Sequence, residues 1–288
     1  MAESRADEAL KRIASGEKLL RREPKVAYNG AEGVPIREEV LSRHGEEVIS
    51  RNAYGAHCLN SPRLLIADVD YDNPDSPREF WTVWAVVVVA AIVAGAWFAS
   101  VKWALIAAFA SLTLGFPLLS LLRWVLTAAR GGKAVVARKR LTDFLATHAD
   151  WNVRVYQTPA GLRLIATHRA FDPLEAEVHA FFSAVGADSL YVRMCKNQRC
   201  FRARLTAKPW RIGIGDHMRP RPGVWPVGDD KRARRDAWIA GYESLAGGFA
   251  ACRYLESLGS GRSASELAPV VELHDNACRA RLPGLKLA

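Results

Sequence analysis

Two adjacent stretches without a formal charge constrain this chain more than any other feature. Residues 80–101 contain no Asp, Glu, Lys or Arg, and after Lys102 the same holds for residues 103–122. At about 1.5 Å per helical residue, each stretch is long enough to cross a hydrocarbon core of about 30 Å. Tryptophans cluster near the ends of the two stretches, as is typical of the aromatic belt at a membrane interface. The pattern therefore predicts a two-helix transmembrane hairpin over residues 80–126.

The flanks of these stretches predict an orientation. A basic segment follows the second stretch, with Arg123, Arg130, Lys133, Arg138, Lys139 and Arg140. Short basic flanks stay on the cytoplasmic side, and two spans return the chain to the side from which it started. We therefore expect a two-span protein of the cell inner membrane with both termini in the cytoplasm, and with the lipid bilayer as a partner.

Local patterns outside the hairpin predict an α+β domain. The predicted elements are a strand over residues 63–72, a helix over 133–148, strands over 152–157 and 162–167, a helix from 172 that ends at Gly186, strands over 190–194 and 200–206, and a final helix over 231–258. From residue 63 to residue 206, the order is thus strand, helix, strand, strand, helix and strand. This order predicts a ferredoxin-like or RRM-like antiparallel sheet with helices on one face, interrupted after its first strand by the transmembrane hairpin. In the alternative interpretation, residues 1–79 fold independently. The predicted segments are an N-terminal helical segment (1–62), the first strand (63–79), the hairpin (80–126), the remainder of the domain (130–215), and a loop, C-terminal helix and tail (216–288).

The net charge of +10 is unevenly distributed along the chain. Residues 1–79 carry 12 Lys and Arg against 15 Asp and Glu, whereas residues 130–288 carry 26 against 15. The basic half is the candidate for an anionic partner, which could be a nucleotide, a nucleic acid or a lipid headgroup. Solubility and topology signalling form the alternative interpretation of this charge.

The first candidate site is an Asp-x-Asp pair at the end of the predicted first strand. Period-2 spacing places Asp68 and Asp70 on one face of that strand. Two carboxylates so placed can hold a divalent cation, Mg²⁺ or Mn²⁺, against a triphosphate. A solvated or salt-bridged pair is the alternative.

A second motif follows one helix later. Thr158, Gly161 and Leu162 lie in a strand-turn-strand segment covering residues 153–165. Together with Asp68 and Asp70, this segment resembles the archaeo-eukaryotic primase (primase-polymerase) superfamily, which includes the polymerase domain of bacterial ligase D. The resemblance implies that the two aspartates bind metal and that the chain is a divergent nucleotidyltransferase.

The chain departs from that family in two places. Arg163 stands where the family has its nucleotide-binding histidine, although a guanidinium can also grip phosphate. A clear third acidic motif is missing, and Asp188 is a poor substitute for it. A non-catalytic relative is therefore an open alternative to an active enzyme.

The second constellation is a basic stretch over residues 193–211. If residues 200–206 form a strand, Arg202 and Arg204 share one of its faces. A phosphate site is one interpretation and a salt-bridge network is the other. Cys195 and Cys200 lie in the same stretch, but a second matching pair of zinc ligands is missing, so buried free cysteines are expected.

Two hypotheses for function follow. In the first, the domain binds an anionic ligand without established catalysis, through Thr158, Arg163, Arg193, Arg202 and Arg204. In the second, it is a primase-polymerase-like nucleotidyltransferase whose metal ligands are Asp68 and Asp70. The first is favoured because the motif set of the second is incomplete. A homo-oligomer is compatible with both hypotheses.

Overall fold

The computed structural model describes residues 10–16, 38–71, 131–221 and 225–288, together with short helical pieces and single helical positions between 84 and 129. Within these ranges the strands are β1 (Glu39–His44), β2 (Glu47–Arg51), β3 (His57–Ser61), β4 (Ile66–Asp70), β5 (Asn152–Gln157), β6 (Gly161–Ala166), β7 (Phe201–Arg204), β8 (Phe249–Ala250), β9 (Arg253–Gly259) and β10 (Lys286–Leu287). The α-helices are α1 (Lys133–Thr147), α2 (Ala176–Val185), α3 (Ser189–Gln198), α4 (Asp229–Ala246) and α5 (Ala268–Cys278). Short 3₁₀ helices cover Pro209–Arg211 and Ser265–Leu267.

Two four-stranded antiparallel sheets organise the described chain. The first has the order β1-β2-β3-β7 and the second has the order β4-β6-β5-β9, while β8 and β10 form a small parallel pair. The predicted α+β class with antiparallel sheets and helices is confirmed. The predicted strand before residue 80 joins the second sheet, because β4 pairs with β6 and sets Asp68 opposite Arg163.

The second sheet carries the main hydrophobic core. All six residues of the central strand β6 are buried. Helices α1 and α2 pack together over it, with the rings of Phe144 and Phe181 centred 5.1 Å apart. Trp151 is fully buried between them and donates from Nε1 to Glu177 Oε1 at 3.0 Å, which satisfies the polar end of its indole.

Tyr191 of α3 joins the two sheets. Its hydroxyl donates to the carbonyl of Ile66 on β4 at 2.7 Å and accepts from the backbone N–H of Arg202 on β7 at 3.3 Å. Because β4 and β7 are the edge strands of their sheets, this contact places the end of β7 next to the Asp-x-Asp segment.

The prediction of a helical segment over residues 1–62 is wrong for residues 39–61. Residues 10–14 are helical, but β1, β2 and β3 occupy the later part, and residues 1–9 and 17–37 lie outside the described range. Strand β2 is buried along all five residues, so it lacks the alternation that marks a half-exposed strand. Gly45, with a φ of +64°, permits the tight connection from β1 to β2.

The predicted single sheet is also wrong beyond α2. Residues 190–194, predicted as a strand, belong to helix α3, because the Asp188 side chain caps the helix by accepting from the Leu190 N–H at 3.1 Å. Strand β7 follows, but it pairs with β3 in the first sheet. Near the C-terminus, the predicted long helix ends at residue 246, and β9 and α5 follow it.

The membrane predictions also need correction. In the described parts of the chain, no helix combines the length and the apolar character that crossing a bilayer requires. This finding stands against the predicted transmembrane hairpin and against the two-span inner-membrane localisation. Most of residues 80–126 lies outside the described range. The prediction relied on the lengths of two charge-free stretches, the tryptophans near their ends and the basic flank, which are features of the sequence alone.

Candidate anion-binding site

Asp68 and Arg163 form a buried ion pair across β4 and β6. Arg163 Nε donates to Asp68 Oδ1 at 2.8 Å and Nη2 donates to Oδ2 at 3.2 Å, a two-point contact. Its Nη1 donates to the carbonyl of Arg204 at 2.9 Å. Burial works against the charge of Arg163, but Asp68 raises its pKa well above the usual value. The guanidinium, 1% exposed, is thus occupied by protein partners instead of facing a ligand.

Three carboxylates gather around the end of β4. Asp70 is exposed two residues beyond Asp68, and the backbone N–H of Asp188 donates to the carbonyl of Asp68 at 3.0 Å. Burial raises the pKa of Asp70, and the charges of Asp68 and Asp188 raise it further. The fold therefore brings Asp188 to the Asp-x-Asp pair, although its spacing in the sequence did not show this. Both oxygens of Asp68 accept from Arg163, although the Asp68 side chain is still partly exposed.

A cluster of three cations lies beside these carboxylates. Arg204 ends β7, and the chain continues through Lys208 into the 3₁₀ helix that contains Arg211. Burial lowers the pKa of Lys208, and the neighbouring Arg204 and Arg211 lower it further. Burial also lowers the pKa of Arg211, with Arg204 again adding to the effect. We call Arg204, Lys208 and Arg211 the basic cluster.

The basic cluster is incompletely neutralised. Among the described residues, none of its three members forms a close ion pair with a carboxylate, and Asp70 acts on them only at longer range. Arg204 Nε and Arg211 Nη1 are buried and have no hydrogen-bond partner in the described part of the chain. Buried N–H groups are nearly always hydrogen-bonded in folded proteins, so these two guanidinium donors lack an acceptor in the described part of the chain.

Two aromatic side chains border the basic cluster. Tyr54, from the turn between β2 and β3, lies close to Arg204, and its ring meets that of Trp210 edge to face at 5.2 Å. Trp210 is 53% exposed, and Lys208 Nζ lies 5.4 Å from its ring centre. An exposed indole beside ammonium and guanidinium groups can stack on a flat ring whose phosphate the cations hold.

The other predicted ligand-binding residues lie elsewhere or are engaged. The alternation predicted for β7 is confirmed, because Phe201 and Ala203 are buried while Arg202 and Arg204 are half-buried on the other face. Arg202, however, donates to both oxygens of Glu38, at 2.6 and 2.9 Å. This ion pair is the alternative that the sequence left open.

Arg193 is exposed on α3, outside the basic cluster. Thr158 Oγ1 accepts from the Gly161 N–H at 3.0 Å and so holds the turn between β5 and β6. Of the predicted ligand-binding residues, Arg204 alone belongs to the basic cluster. Lys208 and Arg211 lie in the basic stretch that the sequence marked, but no local pattern showed that they converge on Arg204 and Tyr54.

All five cysteines are free and buried, as expected from the sequence. Within the described ranges, the group of three metal-ligand side chains that gathers within 4.8 Å is Cys252, His274 and Cys278, on the far side of Arg163 from Asp68.

No family model, curated protein or solved structure matches this chain. The resemblance to the primase-polymerase superfamily accordingly stays a prediction.

Proposed function

We propose that this protein binds a phosphate-bearing ligand of nucleotide or nucleic-acid type at the basic cluster. The observation that supports this most directly is the pair of buried, unpaired donors at Arg204 Nε and Arg211 Nη1. Three neighbouring cations without a close counter-charge repel one another, and burial adds a desolvation cost. A bound anion would remove both penalties.

Phosphate fits the donor set better than an isolated carboxylate does. Two guanidinium groups supply forked N–H donors for a tetrahedral oxyanion, and Lys208 adds a compact charge. The exposed ring of Trp210 next to Lys208 adds a stacking surface of the kind that a nucleobase uses. The overall charge of +10 would also draw a polyanion toward the protein.

Fluorescence anisotropy with a labelled single-stranded oligonucleotide, over a series of salt concentrations, tests this proposal. We expect Arg211→Ala to weaken binding about tenfold or more, and to reduce the steepness of the salt dependence by about one phosphate contact. Arg193→Ala is the matched control, because it removes one exposed arginine outside the basic cluster. If Arg211→Ala and Arg204→Ala both bind like the parent while Arg193→Ala does not, the basic cluster is not the site.

The variant Trp210→Ala distinguishes a site that binds a nucleotide from a site that binds only an inorganic anion. Removing a stacking aromatic costs about 1–3 kcal/mol per base, so oligonucleotide binding should fall by roughly tenfold or more. Competition by inorganic triphosphate should stay unchanged, because the cations remain. Equal losses for both ligands would count against stacking.

The proximity of Asp188 to Asp68 favours nucleotidyl transfer as a second candidate function. In this candidate function, the carboxylates of Asp68, Asp70 and Asp188 would bind the metal ions beside the basic cluster, which would hold the phosphate. Asp68 already accepts from Arg163 with both oxygens, so a bound cation would share or displace that contact. Thermal shift with nucleotides plus Mn²⁺ distinguishes the two candidates: stabilisation that needs Mn²⁺ and is lost in Asp68→Ala/Asp70→Ala supports transfer, whereas metal-independent stabilisation that survives in that variant supports binding alone.

A further inference from the structure

Three buried metal-ligand side chains meet on the inner side of α5. His274 and Cys278 lie four residues apart on that helix and therefore share one face, and Cys252 comes from the link between β8 and β9. Their ligand atoms lie within 4.8 Å of one another, and each residue has 0% exposure. A thiol pair with an imidazole matches the nitrogen and sulfur ligands that zinc prefers.

Asp275 orients the imidazole of His274 through the ring nitrogen Nδ1, which points away from the thiols. Asp275 Oδ1 lies 3.1 Å from His274 Nδ1, and the same carboxylate accepts from Tyr156 Oη at 2.7 Å, from Arg154 Nη2 at 2.7 Å and from Arg281 Nε at 3.1 Å. A carboxylate on one ring nitrogen is the usual support for a histidine whose other nitrogen ligates a metal. The ring of His274 is thus fixed before any ion binds.

The second ring nitrogen of His274 faces the thiols. His274 Nε2 lies 3.9 Å from Cys252 Sγ and 3.3 Å from Arg163 Nη1. Arginine can only donate, so the geometry assigns the Nε2 lone pair, not a proton, to this side. With Nδ1–H donating to Asp275, His274 has the tautomer that a metal ligand requires, and a bound ion would replace the Arg163 N–H at Nε2.

We propose that Cys252, His274 and Cys278 bind one Zn²⁺ ion. Two thiolates cancel the charge of the ion, so the site can be buried without a net charge of its own, and the two thiol protons are released to solvent. Arg163 Nη1, 3.9 Å from Cys278 Sγ, donates to a thiolate in this arrangement. Three protein ligands leave the fourth position of the tetrahedron to a non-protein donor.

Metal analysis of the full-length protein, purified under reducing conditions, tests this proposal. We expect about one zinc per chain by mass spectrometry, and X-ray absorption should show two sulfur neighbours at about 2.3 Å and one nitrogen at about 2.0 Å. Cys252→Ser and Cys278→Ser should each lose most of the zinc. Cys200→Ser is the matched control, because it changes a buried free cysteine outside the cluster, and it should retain the ion.

Several results would overturn the zinc site. One is a parent protein without zinc that also takes up no Co²⁺ on titration. Another is a Cys252–Cys278 disulfide, detected by alkylation and mass spectrometry in protein purified without oxygen. If the serine variants do not fold, the absorption spectrum of the parent decides, since a ligand shell that lacks two sulfurs and one nitrogen contradicts the assignment. Asp70→Asn should keep its zinc, which separates this centre from the carboxylates of β4.

Discussion

The ion pair between Asp68 and Arg163 predicts an asymmetric response to mutation. The side chain of Arg163 is 2% exposed, whereas that of Asp68 is 31% exposed. Asp68→Ala therefore strands a buried cation that water cannot reach, and breaking a buried pair in this way costs about 3–5 kcal/mol of unfolding free energy. Of the two residues in this ion pair, Arg163 is therefore the one whose charge needs its partner, because solvent cannot hydrate it.

Arg163→Met should lower the unfolding free energy less than Asp68→Ala does. Arg163→Met fills most of the vacated volume with apolar atoms, and the partly exposed Asp68 can take hydration from solvent. The carbonyl of Arg204 and Nε2 of the buried His274 each lose a donor, so the expected cost is about 1–3 kcal/mol. The double variant Asp68→Ala/Arg163→Met should be more stable than Asp68→Ala alone, because it leaves no charge unpaired.

Urea unfolding followed by circular dichroism measures these differences. The matched control is Asp70→Ala, which removes an exposed carboxylate two residues along the same strand and should change stability by no more than about 0.5 kcal/mol. The reasoning is refuted if Arg163→Met destabilises more than Asp68→Ala does. It also fails if the double variant loses the sum of the two single losses, because the two residues then act independently.

Two further perturbations follow from the structure. Gly161→Ala should lower stability by about 1–3 kcal/mol, measured as a lower midpoint in urea, because a Cβ at Gly161 would collide with the backbone carbonyl of Val69 on β4. Glu243 accepts from His57 at 2.8 Å and from Arg51 at 2.9 Å, and these contacts, His57 first, lower its pKa from 4.5 to about 2. Since the folded pKa is depressed, this stabilisation is present above pH 4.5 and is lost as the pH falls toward 2. Because Glu243 is 40% exposed, Glu243→Gln should remove only about 1 kcal/mol of that acid dependence in a pH series of urea melts.

The parts of the fold that depend on local pattern were predictable from the sequence. Residues 152–157 and 162–167 were expected as a hairpin and form β5 and β6, and the helix expected from residue 133 is α1. Gly186, expected to end α2, does so in the left-handed conformation at a φ of 71°. In each case a turn or cap residue agrees with the hydrophobic period around it.

The failures arose where tertiary context or a cap outweighed local propensity. Leu190, Tyr191 and Val192 favour a strand by residue type, yet the cap at Asp188 starts a helix there. The basic cluster depends on a contact that is distant in sequence, because β7 must pair with β3 before Arg204 can lie near Tyr54. Sequence spacing alone could mark the basic stretch, but it could not show which of its cations converge.

Arg163 lies opposite Asp68, where the sequence predicted a phosphate-binding side chain, but protein groups enclose it. The resemblance to primases implied a phosphate-gripping role, but the side chain is enclosed by Asp68 on one side and by His274 and Cys278 on the other. It also holds the end of β7 through the carbonyl of Arg204, whose side chain belongs to the basic cluster. Arg163 therefore contacts both the proposed zinc centre and the backbone that carries Arg204 of the proposed anion site. Any displacement of Arg163 at one site must change its contacts at the other, so the two sites are expected to be thermodynamically coupled.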